Sequence, residues 1–230
     1  MFRIVFCIIL CFFSFHISAQ SKAEKLKKGL ELYQNASSDT AKLRHLNKIA
    51  IHFLMKNRQQ AIALAREGLV LSEKGNHTPI EVANAIYNFG YLMRYAGKGD
   101  SSVMFLRKSL DIYKELGSIS KMGYVYTQIG ANASIFGKPD NPITYFDTAA
   151  KLFASAKDTL PLIKALGILG SMQYRIGQVE KSLENGNKAL ALAKLINDSL
   201  AIGEEMQKLA GMYYKSGNSL IAKEMYFEAI

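Results

Sequence analysis

The chain has 230 residues, 49% of them apolar and 21% charged, with 29 Lys and Arg against 19 Asp and Glu for a formal net charge of +10. Its two cysteines, Cys7 and Cys11, lie near the N-terminus, so past residue 11 disulfides, thiolate metal sites and cysteine nucleophiles are excluded together. The basic excess is scattered lysine rather than an arginine-rich stripe, which points away from nucleic acid and toward a partner carrying acidic groups.

Met1, Phe2 and Arg3 lead into an apolar run from Ile4 to Ile17, broken only by Ser14 and His16 and followed by Ser18, Ala19 and Gln20. A short positive start, an apolar stretch and a small residue before the cut form a secretory signal peptide over residues 1–19, cleaved after Ala19. The run falls short of the roughly 20 residues that span a bilayer. Phe6 and Leu10, not small residues, precede the two cysteines, so no lipid anchor is expected. Residues 20–38, with Lys22, Lys25, Lys27 and Lys28, form either a basic linker or a capping helix.

From Asp39 onward the chain repeats. Glycine recurs every 40 residues at Gly97, Gly137, Gly177 and Gly217, and a second column stands at Gly90, Gly130 and Gly170, with Ala210 in the fourth place. A fixed period of 20 to 50 residues marks a solenoid. Between the columns, apolar residues at three- and four-residue spacing predict helix pairs, seen well over 82–95 and 103–116. Thr78-Pro79, Gly117-Ser118, Asp158-Thr159 and Asp198-Ser199 each offer a helix start. The column from Gly97 to Gly217 should end the first helix of each pair in a left-handed conformation, with Asn57 taking that place one period upstream. Gly90, Gly130 and Gly170 sit inside helices, where each costs about 1 kcal/mol relative to alanine, so close helix contact is expected there.

This pattern resembles the tetratricopeptide repeat (TPR), in which helix A carries a small residue and ends on the glycine turn, and helix B carries two more small residues. Those last two are Ser102 and Ser109, Pro142 and Ala149, Ser182 and Ala189, and Ala222 and Ala229. The first repeat fits with a one-residue deletion as Ala50, Asn57, Ala61 and Gly68. The large residue early in helix A is Leu46, Ile86, Tyr126, Leu166 or Met206. The resemblance covers residues 39–230 and implies an all-α fold, a right-handed α-solenoid of antiparallel helix pairs with about five repeats. The last is incomplete, leaving Met225, Tyr226, Phe227 and Ile230 short of a neighbour, so the domain is expected to be truncated at its C-terminus.

Phosphate loops, dinucleotide fingerprints, zinc helices and nucleophile elbows are absent from the sequence, so neither catalysis nor a cofactor is expected. His45 and His52, seven apart on what would be one helix face, lack a third ligand and are read as ordinary residues rather than a metal site. Glu204 with Lys208 and Glu184 with Lys188 have the spacing of solvated helix ion pairs.

In TPR solenoids helix A lines the concave face. The resemblance places Asn84, Tyr87, Tyr91, Arg94 and Tyr95 there in the second repeat and Tyr124 in the third. It adds Lys164, Gly167, Tyr174 and Arg175 in the fourth and Glu204, Tyr214 and Lys215 in the fifth. Tyrosine and arginine are frequent interface anchors, so a protein or peptide partner with acidic groups is expected, and no nucleic acid. The lysine and asparagine with which chaperone-binding members hold a terminal carboxylate are not reproduced, since Tyr87 and Tyr91 stand in their way. Similar long repeats follow signal peptides in exported bacterial proteins, where they resemble the sensory half of membrane signalling proteins of the histidine-kinase or helix-turn-helix type. The resemblance thus implies a periplasmic interaction module, bound to the membrane only through segments beyond Ile230. The alternative is an envelope assembly scaffold without signalling output.

Overall fold

The computed structural model describes residue 24 and residues 26–137 and 141–228. The signal peptide, Ala229 and Ile230 lie outside the described residues. Every regular element among them is helical: α1 (26–34), α2 (Asp39–Ile49), α3 (Arg58–Ser72), α4 (Pro79–Tyr95), α5 (Gly99–Glu115), α6 (Ile119–Phe136), α7 (Pro142–Ser155), α8 (Thr159–Arg175), α9 (Val179–Leu195), α10 (Ser199–Lys215) and α11 (Ser219–Glu228). The even-numbered helices start at 39, 79, 119, 159 and 199, so the 40-residue period of the sequence is a period of structure. None of these helices is long and apolar enough to cross a membrane. The chain forms two compact units, Met1–Phe105 and Leu106–Ile230, whose boundary falls within α5.

Glycine at the helix-pair turns is there for its backbone. Gly97, Gly137, Gly177 and Gly217 have φ of 75°, 62°, 80° and 89°, and an added Cβ would meet nothing within 4 Å at any of them. Left-handed φ alone selects the residue. The turns at Gly97, Gly177 and Gly217 close as Schellman motifs, with Lys98 N–H reaching the Met93 carbonyl at 3.0 Å, Gln178 N–H that of Gln173 at 2.9 Å and Asn218 N–H that of Tyr213 at 2.9 Å. A second left-handed column, at Gly117, Lys157 and Asn197, ends helix B of successive pairs. The sequence hides it, because only one of its members is glycine.

In the first unit, α2 to α4 bury Leu46, Ile49, Phe53, Leu64, Phe89 and Leu92 in one core, on which Leu26, Leu30 and Tyr33 of α1 pack. The N-terminal repeat departs from the expected register. Helix α2 stops at Ile49 and runs into a 3₁₀ turn over Ile51–Phe53. Asn57 is therefore not a left-handed helix end. At φ −153° it is extended, and its Oδ1 accepts the Gln60 N–H at 3.0 Å as the N-cap of α3. The same early stop puts His52 in the 3₁₀ turn while His45 stays on α2, so the two do not share a helix face.

In the second unit, one core joins Phe153, Ile163, Leu166, Ala189 and Ala193, and another joins Leu190, Met206, Leu209 and Met212. The small helix B residues Ser109, Ala149, Ser182 and Ala189 are fully buried, as are Ala222 here and Ser102 in the first unit. Gly130 and Gly170 mark close contacts: a Cβ on the former would stand 3.0 Å from the Phe146 ring, and on the latter 3.0 Å from the Ser182 carbonyl. On α11, Met225 packs against the second core, whereas Leu220 and Phe227 are exposed.

Candidate functional site

In the first unit the candidate residues lie on one helix. Tyr87, Tyr91 and Tyr95 follow one another at four-residue spacing along α4, which puts them on a single face. The rings of Tyr87 and Tyr91 stack at 6.3 Å, and those of Tyr91 and Tyr95 tilt together at 5.2 Å. Arg94 lies over this pair, its guanidinium carbon 5.3 Å from the Tyr91 ring and 4.6 Å from the Tyr95 ring, and it donates to the Tyr95 hydroxyl at 3.2 Å. Burial, then the 3.1 Å hydroxyl contact with Tyr95, pushes the Tyr91 phenol up from its usual value. The Tyr91 ring stays neutral at physiological pH. Asn84 is half-buried and already engaged within the protein.

Polar bonds beside this face tie the first two repeats together. Arg44 donates through Nε to Glu81 Oε1 at 2.9 Å, Asn47 donates to the Glu81 carbonyl at 2.9 Å, and Asn88 donates to the Asn47 carbonyl at 2.9 Å. Burial would raise the Glu81 pKa, but the bonds from Arg44 and Thr78 outweigh it and hold the carboxyl below its usual range.

In the second unit the candidates divide by their place along the helix. Tyr124, near the start of α6, sets its ring edge-on to Phe153 at 5.0 Å and remains 37% exposed. Burial, with Asp158 nearby, raises its pKa. Lys164 is exposed in the first half of α8. Arg175 ends the same helix, eleven residues and about 16 Å further along at 1.5 Å per residue, so the fold does not bring these two cations together. Tyr174 packs against the core of Leu190, Met206, Leu209 and Met212 and so serves the fold. Arg175, Tyr214 and Lys215 are exposed at the C-terminal ends of α8 and α10. The hydroxyls of Thr127, Ser134 and Ser171 bond the carbonyl four residues back in their own helices, which leaves them only acceptor capacity.

Two features escaped the sequence. Glu205 is not a solvated acid but 1% exposed. Its carboxylate fills the notch left by Gly167 on α8, and Lys208 bonds Glu205 at 2.6 Å rather than pairing with Glu204. Burial raises the Glu205 pKa, and Lys208 offsets that only in part. The absence of a side chain at Gly167 was the one available signal. Glu184 and Lys188, by contrast, form the exposed pair expected, at 2.6 Å. The second missed feature is a depression of about 400 Å³ beside Arg175, which Ile143, Met172 and Ile176 help to line. Among the described residues no group of three or more His, Cys, Asp or Glu side chains could hold a metal ion.

No family model and no curated protein matches the chain. Solved structures do. A putative kinesin light chain from Podosopora anserina with nearly identical TPR-like repeats is 13% identical, with 84% of this chain matched to 95% of that one at a TM-score of 0.67. The Rap conjugation gene regulator of plasmid pLS20, solved with the Phr peptide, is 20% identical over 83% of this chain and 52% of its own, with a TM-score of 0.64. A signal-transduction ATPase with numerous domains from Pyrococcus horikoshii, whose sensor is a tetratricopeptide repeat, is 18% identical over 89% of this chain and 33% of its own, with a TM-score of 0.69. At these identities the likeness establishes the fold alone, and that fold is an all-helical TPR-like repeat built of consecutive helix pairs.

Proposed function

We propose that this chain is a protein- or peptide-binding repeat module, exported to the periplasm, where it forms the sensory part of a larger signal-transduction protein. The observations that carry this reading are, in the first unit, a tyrosine stripe with a clasped arginine on α4 and, in the second, exposed Arg175, Tyr214 and Lys215 at the ends of α8 and α10. Aromatic rings with cations beside them suit a polypeptide bearing acidic groups. The peptide held by the pLS20 regulator and the repeat sensor of the Pyrococcus protein support the same use of the fold. Export rests on the signal-peptide pattern of residues 1–19.

An array of immobilised octapeptides of acidic, neutral and basic composition tests recognition. The mature chain should favour acidic members, and retention should fall as ionic strength rises and the screening length shortens from about 30 Å at 0.01 M to about 10 Å at 0.1 M. Retention no greater on acidic than on basic members refutes it. Export is tested separately, by fractionating bacteria that express the full chain. A cytoplasmic product that keeps residues 1–19 defeats the periplasmic assignment.

A further inference from the structure

We propose that the depression at the C-terminal ends of α6 and α8 is a side-chain-selective pocket, taking one large apolar side chain of a bound peptide together with an adjacent Asp or Glu. The proposal rests on the peptide-binding reading above and names what that peptide must contain. The cavity measures about 400 Å³. That lies at the lower end of the roughly 300–1,000 Å³ of ligand pockets, so it suits one or two side chains and not a folded partner.

Its lining divides by chemistry. Pro142 and Ile143 open α7 on one side, and Met172 and Ile176 close the other from α8. Ile143 and Met172 are half-buried, and Ile176 is 59% exposed. A branched apolar residue this open to water gains when a ligand covers it.

Three polar side chains border this surface: Asn141 and Arg175 offer donors to an incoming group, while Ser134 spends its hydrogen on the Gly130 carbonyl. Asn141 spends its Oδ1 on the Ile143 N–H at 3.0 Å, which leaves its amide hydrogens as donors. Arg175 is exposed, and among the described residues no hydrogen bond or ion pair engages it. A planar guanidinium beside a donor amide matches a carboxylate. An apolar wall with carboxylate-matched donors at its edge selects a pair of neighbouring side chains, one apolar and one acidic.

The test uses octapeptides in which Leu, Phe or Ser is paired with Asp, Asn or Lys, in both orders, between Gly-Ser flanks, titrated onto the full chain by fluorescence anisotropy. Leu-Asp or Phe-Asp peptides should bind best, with Asp→Asn and Leu→Ser peptides each about tenfold weaker, as the loss of a charged hydrogen bond or a buried side chain implies. Arg175→Gln should erase the Asp-over-Asn preference and Ile176→Ser the Leu-over-Ser preference, each leaving the other intact. Both residues are exposed, so the variants should melt with the parent, and the crossed loss of one preference at a time is a readout that misfolding would not give. If peptides bind but neither variant alters its own preference, this pocket is wrong while peptide recognition stands. If no octapeptide binds at all, both fall.

Discussion

The same substitution, glycine to alanine, should have opposite signs at Gly130 and Gly211, both inside A helices of the second unit. Leaving glycine gains each helix about 1 kcal/mol. At Gly211 an added Cβ would meet only the Tyr226 hydroxyl, at 3.6 Å, an ordinary contact, so that gain should be kept. At Gly130 the Cβ would stand 3.0 and 3.1 Å from two carbons of the Phe146 ring and 3.1 Å from Cβ of Tyr145. Phe146 is 2% exposed and has nowhere to turn, and a Cβ moves only with its backbone, so α7 as a whole must give way. Overpacking of this kind costs about 1–3 kcal/mol, which leaves Gly130→Ala a net loss of about 1 kcal/mol and separates the two variants by about 2 kcal/mol. Gly130→Leu adds three more carbons against the same wall and should lose roughly 3 kcal/mol or more. Urea titrations followed by helical circular dichroism measure both signs. If Gly130→Ala raises the midpoint as much as Gly211→Ala does, the close approach of α6 and α7 is not what glycine serves there.

Lys157 holds φ 55°, so Lys157→Gly should stabilise by roughly 0.5 kcal/mol, the left-handed strain of about 1–2 kcal/mol less the entropy glycine loses on folding. Gly137→Val should lose about 2 kcal/mol through strain alone, since no atom lies within 4 Å of its Cβ; equal melting of parent and variant would contradict the left-handed turn. Arg44→Met removes the partner of Glu81 and should cost about 1 kcal/mol at neutral pH, the modest figure reflecting an Arg44 side chain that is 57% exposed. Because the Glu81 pKa is depressed in the folded state, that difference should shrink as pH falls below the unfolded value of about 4.3, and a difference that grows in acid would refute the pair. Glu205→Gln should run the other way. Its folded pKa is raised, so the charge destabilises fully above that value and ceases to do so as pH falls through it, and the glutamine variant should melt higher than the parent at pH 8 but with it near pH 4. A variant less stable than the parent at pH 8 would show that the bond to Lys208 outweighs burial.

The parts of the fold that periodicity encodes were readable residue by residue. Four glycines forty apart gave four left-handed turns, because a positive φ leaves little choice of residue. The equivalent turn at Lys157 was not readable, since there the Schellman hydrogen bonds hold an unsuited residue and the strain leaves no mark in the sequence. Asn57 misled for a related reason: asparagine caps either end of a helix, and only the early stop of α2 decides which. The pairing of Lys208 with Glu204 failed because spacing to a lysine says nothing of depth, and the burial of its actual partner, Glu205, depends on a glycine in another repeat. The depression beside Arg175 needed three separate segments to be placed in space, and no linear pattern joins Ala133, Pro142 and Met172.

Composition treats Arg94 and Arg175 as the same kind of group, but their helices use them differently. Three residues before Arg94 stands Tyr91 and one residue after it Tyr95, and both rings lie under the guanidinium. Three residues before Arg175 stands Met172, while the ring of its neighbour Tyr174 is turned into the core with Leu209 and Met212. Much of what Arg94 can offer is therefore already given to its own helix, where each cation–ring contact contributes about 0.5–1 kcal/mol at an exposed site. An acid approaching α4 must compete with those contacts, whereas at the end of α8 no hydrogen bond or ion pair among the described residues engages Arg175. The first unit thus presents a rigid aromatic surface whose charge is spoken for, and the second an apolar pocket whose charge is not. Of the two, the second is therefore where the proposed selection for an acidic group is to be sought.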